Sequence, residues 1–67
     1  MAVASVSKIR AASPESFEAA VRNGVTRASK TLRGITGLHV LDMKASVTNG
    51  KIAEYRVTMD VTFILEE

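Results

Sequence analysis

Hydrophobic and polar residues alternate most clearly near the end of the chain. Through most of residues 51–67, odd-numbered positions are apolar or aromatic, and even-numbered positions are mostly charged or hydroxylated. This period of two predicts a β-strand with one buried face. Asn49 and Gly50 precede it and form the strongest two-residue hairpin motif, because both positions favour positive φ. Residues 35–48 are therefore predicted to be the other strand of a hairpin.

A different spacing governs residues 13–34. Apolar and small residues recur there every three or four positions, which predicts one helix with an apolar stripe. The stripe consists of Phe17, Ala20, Val21, Gly24, Val25, Ala28 and Leu32. Ser13 is the expected N-cap, Pro14 suits the first helical position, and Gly34 is the expected left-handed residue after the helix. The small residues in the middle of the stripe would let the helix lie close to a sheet.

Residues 3–11 complete the set of elements as a weak strand whose apolar positions do not alternate cleanly. The predicted order is β-α-β-β. We therefore expect an α+β fold in which a three-stranded antiparallel sheet wraps around one helix. A chain of 67 residues without linkers or repeats is expected to form a single domain over residues 1–67.

The two-residue turn also predicts the register of the hairpin. Thr48 should pair with Lys51, so the numbers of paired residues sum to 99. Met59 then lies opposite Val40 on the side of the helix. The sheet face turned away from the helix is called the reverse face. It is expected to pair Val47 with Ile52, Met43 with Arg56, Leu41 with Thr58, His39 with Asp60, Gly37 with Thr62 and Ile35 with Ile64. A β-bulge in residues 35–48 would shift part of this register.

This register leaves apolar side chains on a face that one helix cannot cover. Such an exposed patch usually marks an interface. Domains of this size bury only about 60% of their unfolded surface, and this chain has no cysteine with which to form a disulfide. Small proteins of this kind often gain stability by oligomerising. We therefore expect other copies of the chain to cover part of the sheet.

The charge distribution leaves a second interpretation open. The formal net charge is +2, but residues 1–34 carry six Lys and Arg against two Glu, whereas residues 35–67 carry three against five acidic residues. A nucleic-acid or phosphate binder would use the cations of the helix region, which are Arg22, Arg27, Lys30 and Arg33. The aromatic residues typical of single-strand binders are missing, so a solvated helix surface is favoured over nucleic acid as a partner.

The remaining composition narrows the class of protein. No apolar run reaches the ~20 residues of a membrane span, and the first residues lack the pattern of a secretion signal. We expect a cytoplasmic protein without a membrane partner. His39 is the only histidine, and no cysteine or serine motif accompanies it, so a nucleophilic triad has no support and no enzyme is predicted.

A divalent-cation site is the alternative that involves the acidic residues. Glu15 and Glu18 lie three residues apart and share a helix face, and folding or a neighbouring copy could bring Asp42 or Asp60 close to them. Carboxylate oxygens suit Ca²⁺ or Mg²⁺. The sequence contains no loop of a known cation-binding pattern, and acidic residues near a helix start are also explained by the helix dipole.

Several sequence segments together resemble the dodecin family. They are "SPESFEAAVRNGVTRASKTLRGI" in the helix and "NGKIAEYRVTMDVTFILEE" in the last strand, and the similarity covers nearly the whole chain. The resemblance implies a sheet wrapped around one helix, with twelve copies forming a hollow homododecamer. It further implies that a flavin (riboflavin, FMN or FAD) is bound in pairs at the two-fold axes and sequestered, without catalysis.

The same resemblance implies where a flavin would bind. Family members stack the flavin ring on a tryptophan whose position is Gly37 here, and the chain has no tryptophan. A polar residue, commonly glutamine, bonds the ring edge, and its position is Arg56. Leu38, Val40 and Thr58 complete the expected pocket. Loss of the indole removes a large stacking surface, so flavin binding is expected to be weakened, altered or lost.

Overall fold

The computed structural model describes residues 3–65 and contains three strands and one helix. They follow one another as β1 (Val3–Ser13), α1 (Phe17–Ala28), β2 (Ile35–Thr48) and β3 (Lys51–Leu65). The strands form one antiparallel sheet in the order β1-β3-β2. The predicted α+β class and β-α-β-β order are confirmed. Residues 66 and 67, which the prediction included in the last strand, lie outside the described residues.

The core lies between α1 and the central strand. Val57, Met59 and Val61 of β3 are buried with 0–1% of their surface exposed. Small residues of the helix stripe, Ala20, Gly24 and Ala28, are buried on the helix side of this contact. The predicted stripe is confirmed, although Leu32 packs on the core from beyond the end of α1. The predicted buried face of β3 is correct in its middle, whereas Ala53 and Leu65 near the strand ends are exposed. Among the described residues, no helix has the length and apolar character needed to cross a membrane.

Gly24 allows the closest approach of the helix to the sheet. A Cβ placed on Gly24 would overlap the terminal methyl of Met59 and would come within 3.1 Å of the Ala11 Cβ. The helix therefore rests closely on the sheet at Gly24, where a larger residue would have to displace the end of the Met59 side chain. This packing holds α1 over β1 and β3, whereas β2 contributes to the core mainly through the partly buried Ile35 and Val40.

The helix begins three residues later than predicted. Its N-cap is Ser16, whose Oγ accepts a hydrogen bond of 3.0 Å from the Ala19 N–H. Ser13 instead ends β1 opposite Tyr55, and its hydroxyl accepts from the Glu15 N–H at 3.0 Å. Both serines have the chemistry of an N-cap. Strand pairing with β3 decides between them, because it holds Ser13 in the sheet.

The helix also ends earlier than Gly34. The Ser29 hydroxyl donates to the Val25 carbonyl at 2.8 Å, and the Thr31 hydroxyl donates to the Ala28 carbonyl at 3.3 Å. Such bonds compete with regular helix geometry. Gly34 does have positive φ, at 71°, but it connects to β2, and its carbonyl accepts from the Ile64 N–H at 2.9 Å.

The hairpin turn is confirmed, and its register is confirmed in part. Asn49 and Gly50 have φ of 52° and 76°, and Thr48 pairs with Lys51. The predicted pairs that are correct are Thr48–Lys51, Val47–Ile52, Val40–Met59, His39–Asp60, Leu38–Val61 and Gly37–Thr62. Register shifts occur between Ile35 and Gly37, between Val40 and Asp42, and between Ser46 and Val47. Three predicted pairs are therefore wrong, namely Met43–Arg56, Leu41–Thr58 and Ile35–Ile64.

The shift between Val40 and Asp42 changes which side chains lie on the reverse face. Asp42 pairs with Thr58 and Lys44 with Arg56, whereas Met43 lies opposite the buried Val57. Residues opposite each other in an antiparallel pair share a face. Asp42 and Lys44 therefore take the places opposite Thr58 and Arg56 that the predicted register gave to Leu41 and Met43.

Replacing Gly24 with alanine tests the close helix–sheet contact. Alanine favours a helix interior by about 1 kcal/mol, but its Cβ would displace the buried Met59 methyl and press on the Ala11 Cβ, and such overpacking should cost about 1–3 kcal/mol. We expect Gly24→Ala to lower the melting temperature by about 4–8 °C for each kcal/mol of net loss. Circular dichroism at one fixed protein concentration measures the shift.

Thr26→Ala is the matched control for Gly24→Ala. Thr26 is exposed on α1, so its replacement raises helix propensity without adding a core contact. We expect its melting temperature to stay level or rise slightly. A Gly24→Ala protein that melts as late as Thr26→Ala would show that the helix can move away from the sheet at little cost.

Candidate ligand-binding site

The reverse face is arranged in rows of side chains that cross the three strands. Since β3 buries its odd-numbered residues, its even-numbered residues point to the reverse face. Pairing with β1 and β2 then sets the rows. The rows are Val6–Thr62–Gly37, Lys8–Asp60–His39, Arg10–Thr58–Asp42 and Ala12–Arg56–Lys44. The centre of this face is charged rather than apolar.

A cleft of about 350 Å³ lies over the last two of these rows. Polar side chains contributed by all three strands line it, and these are Arg10, Asp42, Lys44, Arg56 and Thr58. Its volume falls within the range of small-molecule sites, about 300–1,000 Å³. The cleft depends on the register shift after Val40, because that shift brings Asp42 and Lys44 opposite Thr58 and Arg56.

Positive charge predominates in the cleft. Lys44 and Arg56 lie directly opposite each other, an arrangement that repels in a sheet. Two acids relieve the repulsion, since Lys44 Nζ lies 3.5 Å from Asp42 Oδ2 and Arg56 Nε donates to Glu54 Oε1 at 2.6 Å. Arg10 takes part in none of the ion pairs found within residues 3–65. The lining has three cations and one carboxylate, so it favours an anionic ligand.

The structure brings together only part of the predicted flavin pocket. Arg56 and Thr58 both line the cleft. Gly37 lies on the same face, opposite Thr62, which is six residues along β3 from Arg56 and hence about 20 Å away. Leu38 and Val40 lie opposite the buried Val61 and Met59, so they belong to the helix side of the sheet.

The predicted cation ligands lie apart within one chain. Glu15 is exposed before α1, and Glu18 on α1 pairs with Arg22 at 2.5 Å. Asp42 lies in the cleft beside Lys44. Across residues 3–65, no group of three or more histidine, cysteine or acidic residues has a geometry that could hold a metal ion. A cation site built from these residues would need ligands from a second copy.

His39 and the basic residues of the helix region lie outside the cleft. His39 is exposed on β2 opposite Asp60, as predicted. Of the basic residues considered for nucleic acid, Arg22 is engaged by Glu18, whereas Lys30 and Arg33 follow the end of α1. The basic residues are therefore split between the helix and the turn after it.

Arg10 and Lys44 are the cleft residues that sequence reasoning missed. Arg10 lies on β1, whose irregular pattern gave no register. Lys8 and Arg10 are two residues apart, so a strand places both on one face, and this spacing could have indicated the face of Arg10. A register without a shift after Val40 places Lys44 opposite Tyr55 on the helix side, so only the shift brings Lys44 into the cleft.

Comparison with known proteins agrees with this architecture. The sequence profile of the dodecin family matches residues 3–66. A dodecin from Thermus thermophilus is 36% identical over 55 residues, which cover 82% of this chain and 80% of that protein.

Solved structures match over nearly the full length. The dodecin from Streptomyces davaonensis is 38% identical, with a TM-score of 0.95 and coverage of 98% of this chain and 97% of that one. A calcium-chelating antigen from Mycobacterium tuberculosis, described as a calcium dodecin with a novel calcium-binding site, is 32% identical, with a TM-score of 0.82 and coverage of 96% and 91%. The family match and the related sequence together show that this chain belongs to the dodecin family.

Proposed function

We propose that the chain is the subunit of a homododecameric cage that binds and sequesters a flavin on the reverse face, without catalysis and in the cytoplasm. The observation that carries this proposal is the cleft formed by Arg10, Lys44, Arg56 and Thr58 on an exposed sheet face of a dodecin-family chain. The absence of tryptophan weakens ring stacking, so charge has a larger part in binding.

The charge of the cleft favours flavins that carry phosphate. Guanidinium groups match phosphate geometry and bind it through two parallel hydrogen bonds. Lys44 and Arg56 each have a carboxylate beside them, and a bound phosphate would replace those carboxylates as their anionic partner. FMN and FAD are therefore the preferred ligands, and riboflavin, which has no phosphate, binds more weakly.

The distance between the two predicted flavin contacts supports a site shared between copies. Gly37 and Arg56 lie about 20 Å apart within one chain, so the ring-edge contact that the resemblance implies for Arg56 cannot be made to a ring that lies at Gly37 of the same chain. A site that uses both positions therefore takes them from different copies. This agrees with the family's pattern of flavins held at two-fold axes, and it makes ligand binding dependent on assembly.

Calcium is the second candidate ligand, and the related calcium dodecin from Mycobacterium tuberculosis favours it. Against it stand the excess of cations in the cleft and the ion pair of Asp42 with Lys44. If calcium is the ligand, the purified protein will be colourless and will release heat on addition of Ca²⁺, and this heat will be lost in Glu15→Ala. Calorimetry with Mg²⁺ in parallel separates a specific site from general screening of acidic residues.

The charge argument predicts that FMN binds more tightly than riboflavin. A hydrogen bond to a charged group contributes about 1.5–3 kcal/mol, so loss of one should weaken binding at least about tenfold. We expect Arg56→Ala to reduce FMN affinity by roughly that factor and to change riboflavin affinity less. Titration of flavin fluorescence at low salt measures all four affinities.

Lys30→Ala is the matched control, since Lys30 is an exposed cation outside the cleft. It removes the same charge and should leave FMN binding unchanged. Equal affinities for FMN and riboflavin, with no response to Arg56→Ala, would rule out the cleft as the phosphate site.

Restoring an aromatic plane at position 37 tests the ring site separately. A Cβ placed on Gly37 has no atom within 4 Å, so a side chain can be accommodated there. We expect Gly37→Trp to raise flavin affinity about tenfold, because stacking adds roughly 0.5–1.5 kcal/mol to the apolar area that is buried. Quenching of riboflavin fluorescence is the measurement, since riboflavin reports on the ring alone.

Gly37→Leu separates stacking from simple burial. Leucine adds apolar surface without a flat ring, so its gain should be clearly smaller. If neither variant changes riboflavin quenching, position 37 does not contact the ring and that part of the pocket assignment is wrong.

A further inference from the structure

The end of the β2–β3 hairpin projects beyond the rest of the fold. β1 stops at Ser13 opposite Tyr55, so residues 46–54 form a two-stranded extension, here called the hairpin arm. Val47 and Ile52 lie opposite each other in this arm and are 64% and 51% exposed. Two-stranded hairpins are at best marginally stable in water. Burial of this exposed apolar pair against another surface would stabilise the extension.

The chain exposes more surface than a compact monomer of its mass would. One copy exposes 4925 Å². A compact monomer of 7.2 kDa would expose about 4,100 Å² on the usual scaling of surface with mass. The excess of roughly 800 Å² equals the area that each partner contributes to a standard protein interface. Each copy therefore carries enough uncovered surface for a stable contact.

A groove between α1 and β1 offers the complementary shape. Its volume is about 510 Å³. Apolar side chains and one glycine line it, namely Ile9, Ala11, Gly24, Ala28 and Leu32, and the polar lining residues include two cations, Arg10 and Arg27. No acidic residue lines it. A groove with this lining accepts an apolar insertion and, because of Arg10 and Arg27, disfavours a positively charged one.

The groove runs beside an open strand edge. β1 is an edge strand, since the sheet order is β1-β3-β2, and it pairs only with β3 among the described residues. Asn23 Nδ2 of α1 donates to the Ala12 carbonyl of this strand at 3.4 Å. One half of the backbone groups of an edge strand has no strand partner. An unpaired edge of this kind readily accepts another chain.

The arm of the same chain cannot fill this groove. Ile52 lies seven residues along β3 from Met59, the partner of Ile9 in the groove lining, so about 23 Å separate them. The arm also extends away from the groove along the strand direction. The occupant must therefore come from a second copy.

We infer that the hairpin arm of one copy inserts its Val47–Ile52 pair into the α1–β1 groove of a neighbouring copy. This contact rests on the proposed cage assembly and identifies one of its interfaces. The contact is heterologous, since an arm meets a groove rather than another arm, and such contacts close into rings when the rotation allows.

A charge introduced into the arm tests the inference. Val47→Lys brings an ammonium group to a groove that is lined by Arg10 and Arg27 and by no acid. In sedimentation velocity, we expect the wild type to form a large particle and Val47→Lys to lose at least nine-tenths of it at the same concentration. Val47→Glu removes the same methyl groups but is attracted to Arg27, so it should retain more of the large particle.

A second substitution in the groove should reverse the loss. Val47→Lys combined with Arg27→Glu places opposite charges at the contact and should recover the large particle. Val47→Lys combined with Lys30→Glu is the control, because Lys30 is exposed and does not line the groove. Circular dichroism of each variant verifies that the exposed substitutions leave the fold intact.

The outcomes distinguish failure of the arm contact from failure of the proposed cage assembly. If the wild type sediments as a 7.2 kDa monomer, both proposals are wrong. If the wild type is large and Val47→Lys is equally large, only the arm contact is wrong. Recovery with Lys30→Glu but not with Arg27→Glu would place the arm on another surface.

Cysteine pairing gives an independent measurement, because the chain has no cysteine of its own. Disulfide formation requires Cα atoms within about 7 Å. A mixture of Val47→Cys and Arg27→Cys proteins should yield the mixed disulfide under mild oxidation. Predominance of the Val47→Cys homodimer would show that arms meet arms, and would overturn the inference.

Discussion

The packing of β3 beneath α1 is the contact on which the other features depend. Val57, Met59 and Val61 are buried there, and Gly24 lets the two backbones approach closely. Because side chains alternate along a strand, burial of this set directs Arg56 and the other even-numbered residues of β3 to the reverse face. The outer strands then add their residues by register. The core thereby selects the polar groups that meet in the cleft.

One extra residue in β2 changes the chemistry of the reverse face. Leu41 has no partner in β3, since Val40 pairs with Met59 and Asp42 pairs with Thr58. In an uninterrupted register, Leu41 would lie opposite Thr58, and this part of the sheet would be apolar. A β-bulge reverses the side-chain orientation that follows it, so charged residues occupy these positions instead. The exposed apolar surface consequently lies elsewhere, in the hairpin arm and along β2.

More of the fold than of the site could be predicted from the sequence. The hairpin turn follows from the Asn-Gly pair and is confirmed. The helix stripe and the buried middle of β3 follow from strong periodicity and are confirmed, whereas the strand ends at Ala53 and Leu65 are exposed. The start of the helix could not be predicted, because Ser13 and Ser16 have equal capping chemistry and only pairing with β3 distinguishes them. The bulge at Leu41 and the position of β1 beside β3 depend on tertiary packing, so the contribution of Arg10 to the cleft was not visible in the sequence.

The separation of charged and apolar surfaces explains how one short chain can both assemble and bind. Only five apolar side chains are buried within residues 3–65, a core too small to make a lone copy robust. The apolar arm can bury its surface against another copy while the charged cleft stays open to solvent. Where a ligand contacts two copies at once, it binds the assembled state and not the separate subunits. Mass action then makes the ligand stabilise the particle, so binding and assembly reinforce each other.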